Sequence, residues 1–137
     1  MTRIVVDASV TLSWCFPDEQ RPLSLKVLQR LKAGDQILVP SFWSLEILNS
    51  LLVGERRGRI SWEQTLAFLA NLAALEPSFD HASSDQINGP IQRLCRDHGL
   101  TPYDALYVEL ASRVHSPLAT YDDLQKRAAS ALSIECL

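Results

Sequence analysis

Short apolar runs alternate with helix-length segments along this chain, and this alternation limits the fold more than any other feature. Residues 4–6 and 37–39 are apolar triplets typical of strands that are buried on both faces. Each triplet is followed by a segment with apolar residues at helical spacing. Strands that alternate with helices in this way predict an α/β fold, in which helices cover both faces of a parallel sheet.

The second half of the chain continues the same alternation. A weak strand is predicted at residues 75–79, at an edge of the sheet because a proline interrupts it. A helix is predicted over residues 84–98, and a short strand over residues 117–120. We expect Asp122 to cap the last helix and Ile134 to lie in a final strand.

Size and composition favour one folded domain. The 137 residues, 47% hydrophobic and 21% charged, predict a single domain over residues 1–137. No apolar run approaches the ~18–20 residues that cross a bilayer, so we expect a cytoplasmic protein without membrane association. The net charge of −3 excludes a generally basic surface for nucleic acid. Three cysteines without close spacing indicate neither a disulfide framework nor a zinc site.

Four acidic residues far apart in sequence are predicted to share one edge of the sheet. Asp7 ends the first strand, and Asp122 follows the strand near residue 118. Asp104 lies in the first turn of a predicted helix, and Glu46 lies one to two turns into another. Because crossover helices begin at the carboxyl edge of parallel strands, all four acids are expected along the rim where ligands bind.

Each acid also has an ordinary structural interpretation. Asp7 and Asp122 could be helix N-caps, and Asp104 could be the acid of a capping box. Glu46 is different, because it lies in an apolar stretch where a carboxylate needs a partner or a raised pKa. Apart from Lys126, no lysine or arginine is an obvious neighbour of these acids. Together the acids therefore favour a hard divalent cation, Mg²⁺ or Mn²⁺, and metal-assisted phosphodiester hydrolysis.

Four segments occur in a characteristic order and spacing: residues 4–9 (IVVDAS), 40–49 (PSFWSLEILN), 100–107 (LTPYDALY) and 118–122 (LATYD). In this order the chain resembles the PIN-domain ribonucleases, in particular the VapC-type toxins of bacterial toxin–antitoxin pairs. The resemblance implies a three-layer α/β/α domain with a central, mainly parallel sheet of four or five strands. It implies an RNA substrate, products with a 5′-phosphate and a 3′-hydroxyl, a VapB-type antitoxin that blocks the site, and a homodimer.

The resemblance also implies roles for single residues. Asp7 and Asp104 correspond to the principal metal ligands. Glu46 and Asp122 would hold a second ion or orient water through the first. Ser9 matches a small hydroxyl position beside the first acid, where it would have a supporting role.

The position of the fourth acid has two candidates. Asp123 follows Asp122 directly in the sequence. The family often has leucine three residues past the fourth acid, whereas Leu124 is two residues past Asp122. Asp123 therefore stays an alternative to Asp122.

Other functions that begin with a strand and an aspartate fit less well. A haloacid-dehalogenase-like phosphatase needs a second aspartate where this chain has Ser9. A receiver domain needs an acidic pair and a lysine after a late strand, and Lys126 lies in a predicted helix. The remaining alternative is a catalytically inactive PIN-like module that acts through a protein or RNA partner.

Overall fold

A parallel sheet forms the centre of the computed structural model, which describes residues 2–137. Its four strands are β1 (Arg3–Val6), β2 (Gln36–Pro40), β3 (Ser78–Asp80) and β4 (Leu118–Ala119). They lie in the order β3-β2-β1-β4, and all three neighbouring pairs are parallel. The carboxyl ends of all four strands therefore meet at one edge, as predicted.

Helices connect the strands and complete the three-layer α/β/α arrangement, which confirms the predicted fold class. They are α1 (Ala8–Ser13), α2 (Pro22–Lys32), α3 (Trp43–Arg56), α4 (Trp62–Ala73), α5 (Ser84–Gln86), α6 (Gln92–His98), α7 (Pro102–Arg113) and α8 (Asp123–Ala131). A single 3₁₀ turn at Pro17–Glu19 lies between α1 and α2. Over residues 2–137, none of the helices has the length and apolar character needed to span a bilayer.

The two central strands are buried on both faces because their residues are apolar without interruption. Ile4 pairs with Ile37, and Val5 pairs with Leu38 on one side and Leu118 on the other. These side chains are all buried. Burying a side chain of this size contributes about 1.5–3 kcal/mol, so β1 and its neighbours anchor the core.

Side-chain caps decide where the helices at the sheet begin. The carboxylate of Asp7 accepts a hydrogen bond at the start of α1, and that of Asp122 accepts one at the start of α8. The hydroxyl of Thr101 caps α7 in the same way. Ser61 and Gln64 form the capping box predicted from their spacing at the start of α4.

The predicted helix over residues 84–98 is wrong in one respect, because it is not continuous. A π-helical turn at Ile87–Ile91 separates α5 from α6, and Pro90 lies inside it. Proline has no backbone N–H to donate, so the regular hydrogen-bond ladder cannot run through this position.

Two strand predictions also need correction. The edge strand β3 begins after Pro77 rather than before it, because proline cannot donate to the ladder. The strand expected at Ile134 does not form within the described chain. The C-terminal segment makes a single parallel bridge instead, between Leu118 and Cys136.

Candidate active site

The carboxyl edge of the sheet carries the four acids that topology predicts there, and we call Asp7, Glu46, Asp104 and Asp122 the acidic rim. Asp7 directly follows β1, and Asp122 directly precedes α8. Glu46 and Asp104 lie in the first turns of α3 and α7. Each acid is thus positioned by a strand end or a helix start.

Asp7 is buried and its carboxylate is held on both oxygens. Oδ2 accepts hydrogen bonds from the backbone N–H and the hydroxyl of Ser9, at 3.1 Å and 2.5 Å. Oδ1 accepts one from Nε2 of Gln125 at 3.4 Å. Burial raises the pKa of Asp7 and the charge of Asp122 raises it further, although the hydrogen bonds from Ser9 and Gln125 lower it. Ser9 contacts Asp7 directly, and its supporting role stays a prediction.

Glu46 is held by a tyrosine that the sequence interpretation missed. The hydroxyl of Tyr107 donates to Oε1 of Glu46 at 2.6 Å. Burial raises the pKa of Glu46, and the charges of Asp7 and Asp104 raise it further, against the lowering effect of this hydrogen bond. Tyr107 itself is fully buried, and burial together with Glu46 raises its pKa. Tyr107 lies three residues after Asp104 on α7, so the two side chains share one helix face. This spacing was the sequence signal that could have placed Tyr107 at the site.

Asp104 is not the acid of a capping box. Its backbone N–H donates to the Thr101 hydroxyl at 3.2 Å, but no reciprocal bond from its side chain to the Thr101 backbone N–H completes a capping box. Partial burial raises the pKa of Asp104, and the charges of Asp7 and Asp122 raise it further, against the lowering effect of a hydrogen bond with the Thr101 side chain. Among residues 2–137, no lysine or arginine forms an ion pair with this carboxylate.

Asp122 and Asp123 occupy different environments. Oδ1 of Asp122 accepts from the backbone N–H of Gln125 at 2.8 Å, and its charge acts on both Asp7 and Asp104. Asp123 is exposed on the first turn of α8. This difference favours Asp122 as the fourth acid, although its N-cap interaction alone would also explain an aspartate there.

Gln125 is a further residue at the rim that the sequence interpretation missed. It is 0% exposed, and Nε2 donates to the backbone carbonyl of Asp104 at 3.1 Å as well as to Asp7. The sequence contained a signal for the burial of Gln125, because it shares one face of α8 with Ala128 and Ala129. Both alanines are buried.

Within residues 2–137, the acidic rim has no lysine or arginine as a partner. The ion pairs among residues 2–137 involve other acids, and neither lysine nor arginine lies within ion-pair distance of these four. In the same part of the chain, no three acidic, histidine or cysteine side chains already form the ligand set of a metal ion. The chemistry of the donors nevertheless fits Mg²⁺ or Mn²⁺, because they are carboxylates without a lysine or arginine partner in the described chain. Charges within the rim raise the pKa values of Asp7, Glu46 and Asp104.

An open groove lies beside the acids. It has a volume of about 470 Å³, and seven residues line it: Phe42, Leu45, Glu46, Asn49, Thr101, Tyr103 and Asp104. Tyr103 is 62% exposed, and its ring meets Phe42 edge-on with centroids 5.4 Å apart. The groove therefore places an exposed aromatic ring next to two of the carboxylates.

Comparison with known proteins identifies relatives over most of the chain. The family model described as PIN domain matches residues 4–131. A protein of Pyrobaculum aerophilum named Ribonuclease VapC3 is 26% identical over 120 residues, which cover 88% of this chain and 89% of that protein.

Solved structures share the fold at lower identity. VapBC2 from Rickettsia felis, bound to a DNA fragment from its promoter, aligns with a TM-score of 0.66 at 15% identity, covering 99% of this chain and 98% of that one. A toxin–antitoxin complex from Klebsiella pneumoniae aligns with a TM-score of 0.52 at 18% identity, covering 87% and 86% of the two chains.

Proposed function

This chain belongs to the PIN domain family, and we propose that it is a metal-dependent endoribonuclease toxin that is inhibited by a cognate VapB-type antitoxin. The observation that carries the proposal is the acidic rim, whose partly or fully buried carboxylates have no lysine or arginine partner among residues 2–137. Hydrogen bonds compensate this negative charge only in part. An external divalent cation, Mg²⁺ or Mn²⁺, is the cofactor that compensates it.

The comparisons support the substrate and the partner. The Pyrobaculum relative carries the name of a ribonuclease, and the Klebsiella structure is a toxin–antitoxin complex. We transfer both properties to this chain as part of the proposal, together with a homodimeric state and a cytoplasmic location. Light scattering on the purified protein measures the oligomeric state directly.

The groove beside the acids supports an RNA substrate. Tyr103 presents an exposed ring on which an unpaired base can stack, and stacking of this kind does not depend on base identity. Because Asp104 follows Tyr103 directly in the chain, a stacked nucleotide lies close to the acidic rim. Single-stranded RNA fits this arrangement better than a rigid duplex.

The residues of the rim divide into two roles. Asp7 and Asp104 are the principal ligands of the cation, and Ser9 fixes the Asp7 carboxylate through Oδ2. Glu46 and Asp122 hold a second ion or orient the attacking water. When bound, the divalent cation activates water and stabilises charge on a phosphoryl oxygen.

Glu46 is suited to handling the proton of the attacking water. Its Oε1 accepts a hydrogen bond from the Tyr107 hydroxyl, so Oε2 is the oxygen that remains to accept a proton from water. Its raised pKa makes it a stronger base than an exposed glutamate. Tyr107 keeps the carboxylate in one orientation and retains its own proton, because its pKa is also raised.

Cleavage of a mixed set of labelled RNAs tests the function. The purified protein is incubated with Mg²⁺ or Mn²⁺, or with a chelator, and Asp7→Ala serves as the control for contaminating nucleases. We expect cleavage that needs the metal, leaves 5′-phosphates and disappears in Asp7→Ala. Metal binding by a folded protein that cleaves none of the RNAs would favour the alternative, an inactive PIN-like binding module.

A matched pair of variants assigns the fourth acid. Asp122→Asn keeps an N-cap for α8 but removes a charge from the rim, whereas Asp123→Asn removes an exposed charge. We expect a large loss of cleavage only in Asp122→Asn. The reverse result would assign the role to Asp123.

A further inference from the structure

The side chain of Gln125 is the most completely buried polar group at the acidic rim. It is 0% exposed although it lies on the first turn of a surface helix, α8. Its amide makes three hydrogen bonds: to Oδ1 of Asp7, to the backbone carbonyl of Asp104 and with the hydroxyl of Thr120. A buried amide is tolerated only when its polar atoms are paired in this way.

These partners fix the orientation of the amide. The Asp104 carbonyl and the ionised Asp7 carboxylate can only accept hydrogen bonds, so the NH₂ group of Gln125 must face them. The hydroxyl of Thr120 accepts from the backbone N–H of Asp122 at 3.0 Å, and its proton is free to donate to Oε1 of Gln125. A flipped amide would point Oε1 at two other acceptors, so only one orientation satisfies the network.

The network joins the segments that carry three of the rim acids. Asp7 ends β1, Asp104 lies in the first turn of α7, and Thr120 follows β4 just before Asp122. The side-chain amide of Gln125 therefore connects the carboxylate of Asp7 with the backbone of Asp104, which is remote from Asp7 in sequence. Together with Ser9 on the opposite oxygen, it leaves the Asp7 carboxylate one orientation.

Gln125 is also the residue at which the chain departs from the family pattern, counted from Asp122. The family often has leucine three residues past the fourth acid, and here that position is Gln125. Leu124 is 42% exposed, so it does not take the place of the missing leucine in the interior. The chain has a polar amide at a position where an apolar side chain would fill the space without contacting the acids.

We propose that Gln125 is a positioning residue for divalent-cation binding, which holds the Asp7 carboxylate and the Asp104 backbone in the arrangement that the ion requires. The inference rests on the proposed function and deepens it. Residues that orient metal ligands in this way affect metal affinity strongly although they do not touch the ion. Gln125 itself contacts no reacting atom and is not a catalytic residue.

Two substitutions at this position test the proposal by Mn²⁺ affinity. Gln125→Met keeps the length of the side chain without its amide, and Gln125→Leu installs the residue common in the family. Gln29→Met, at an exposed position on α2, is the matched control. The dissociation constant of Mn²⁺ is measured from the electron paramagnetic resonance signal of the free ion, and thermal unfolding is recorded separately in chelator.

We expect both Gln125 variants to bind Mn²⁺ about 10–100-fold more weakly, while Gln29→Met binds it like the wild type. A purely structural glutamine would lower the unfolding temperature in chelator but leave the affinity of the folded protein unchanged, and this result would overturn the proposal. Absence of Mn²⁺ binding by the wild type would instead contradict the proposed function itself.

A measurement on the wild type covers the case in which neither variant folds. The side-chain amide resonances of Gln125 are followed by NMR during a Mg²⁺ titration, with those of Gln29 as the internal reference. We expect the Gln125 signals to shift with the same midpoint as binding and the Gln29 signals to stay. Gln125 signals that do not respond to bound Mg²⁺ would refute the positioning role.

Discussion

Two regions of the described chain, residues 2–137, hold partly or fully buried carboxylates in different ways, and of these two only the Arg113 cluster contains a cation. In the Arg113 cluster, which we define as Arg113, Glu109 and Asp80, the guanidinium forms paired hydrogen bonds with Asp80 at 2.6 Å and 3.2 Å. Its Nε donates to Glu109 at 2.8 Å. These bonds raise the pKa of Arg113, whereas no lysine or arginine of the described chain pairs with the acidic rim.

Under the proposed function, this difference separates acids that stabilise the fold from acids that bind a cation. Removing a carboxylate from water is unfavourable unless opposite charge or hydrogen bonds compensate it. The Arg113 cluster compensates its two acids internally and links the edge strand β3 to α7. The rim compensates its acids only in part, through Ser9, Gln125 and Tyr107. The remaining negative charge is what favours a divalent cation there.

The largest expected effect comes from charge removal at the rim. Asp104→Asn should reduce RNA cleavage more than about 100-fold. Removing a metal ligand should reduce activity more than removing a residue that only orients a ligand, for which losses of about 10–100-fold are typical. Asp80→Asn is the matched control in the Arg113 cluster and should keep cleavage within a few-fold. Initial rates on a labelled RNA measure both, and similar losses in the two variants would remove the functional distinction between the regions.

Loss of the arginine in the cluster should act on stability. Arg113→Met leaves the buried carboxylate of Glu109 without its partner, and we expect a loss of about 2 kcal/mol in the free energy of unfolding. This value lies below that for a fully buried pair because Arg113 is partly exposed. Urea unfolding measures it, with the exposed Arg127→Met as the control. Equal stability of the two variants would show that the cluster contributes nothing.

The hydroxyl that holds Glu46 should have a smaller effect. Tyr107→Phe removes the donor to Oε1 and leaves the ring in the core, so we expect roughly tenfold weaker Mn²⁺ binding. Tyr103→Phe removes a hydroxyl from an exposed ring that contacts no acid through it, and should bind Mn²⁺ like the wild type. Unchanged affinity in Tyr107→Phe would mean that Glu46 needs no orientation.

The smallest expected effect is a gain in the free energy of unfolding, whereas Arg113→Met in the Arg113 cluster should reduce it. In chelator, Asp7→Asn should stabilise the protein near pH 7, because the folded state then carries one buried charge fewer. Asparagine can still accept the hydrogen bond that caps α1. Urea unfolding in the presence of chelator measures the difference.

The raised pKa of Asp7 also makes the free energy of unfolding depend on pH. Because folding raises the pKa of Asp7, the folded state binds more protons than the unfolded state. Wild-type stability in chelator should therefore fall as pH rises from the unfolded pKa of Asp7 through its raised folded pKa. Asp7→Asn should lack this part of the decline. A variant that is less stable than the wild type throughout this range would show that the rim carries no excess charge.

Much of the acidic rim could be predicted from sequence because its signals are local. Apolar triplets mark buried strands, Thr101 before Pro102 marks a helix start, and Asp7 follows a strand directly. In a parallel sheet these local features meet at one edge. The π-helical turn at Pro90 and the absence of a strand at Ile134 were not predicted, since both depend on hydrogen bonds that periodicity does not report.

The sequence by itself determined the alternation of strands and helices along most of the chain, and with it the edge where the four acids lie. Only the tertiary structure decided which groups hold those acids. Tyr107 contacts Glu46 across 61 positions, and Gln125 contacts Asp7 across 118. The physical reason is that helix and strand patterns arise from neighbours a few residues apart, whereas the pairing of a buried carboxylate depends on side chains that meet only after the sheet has formed.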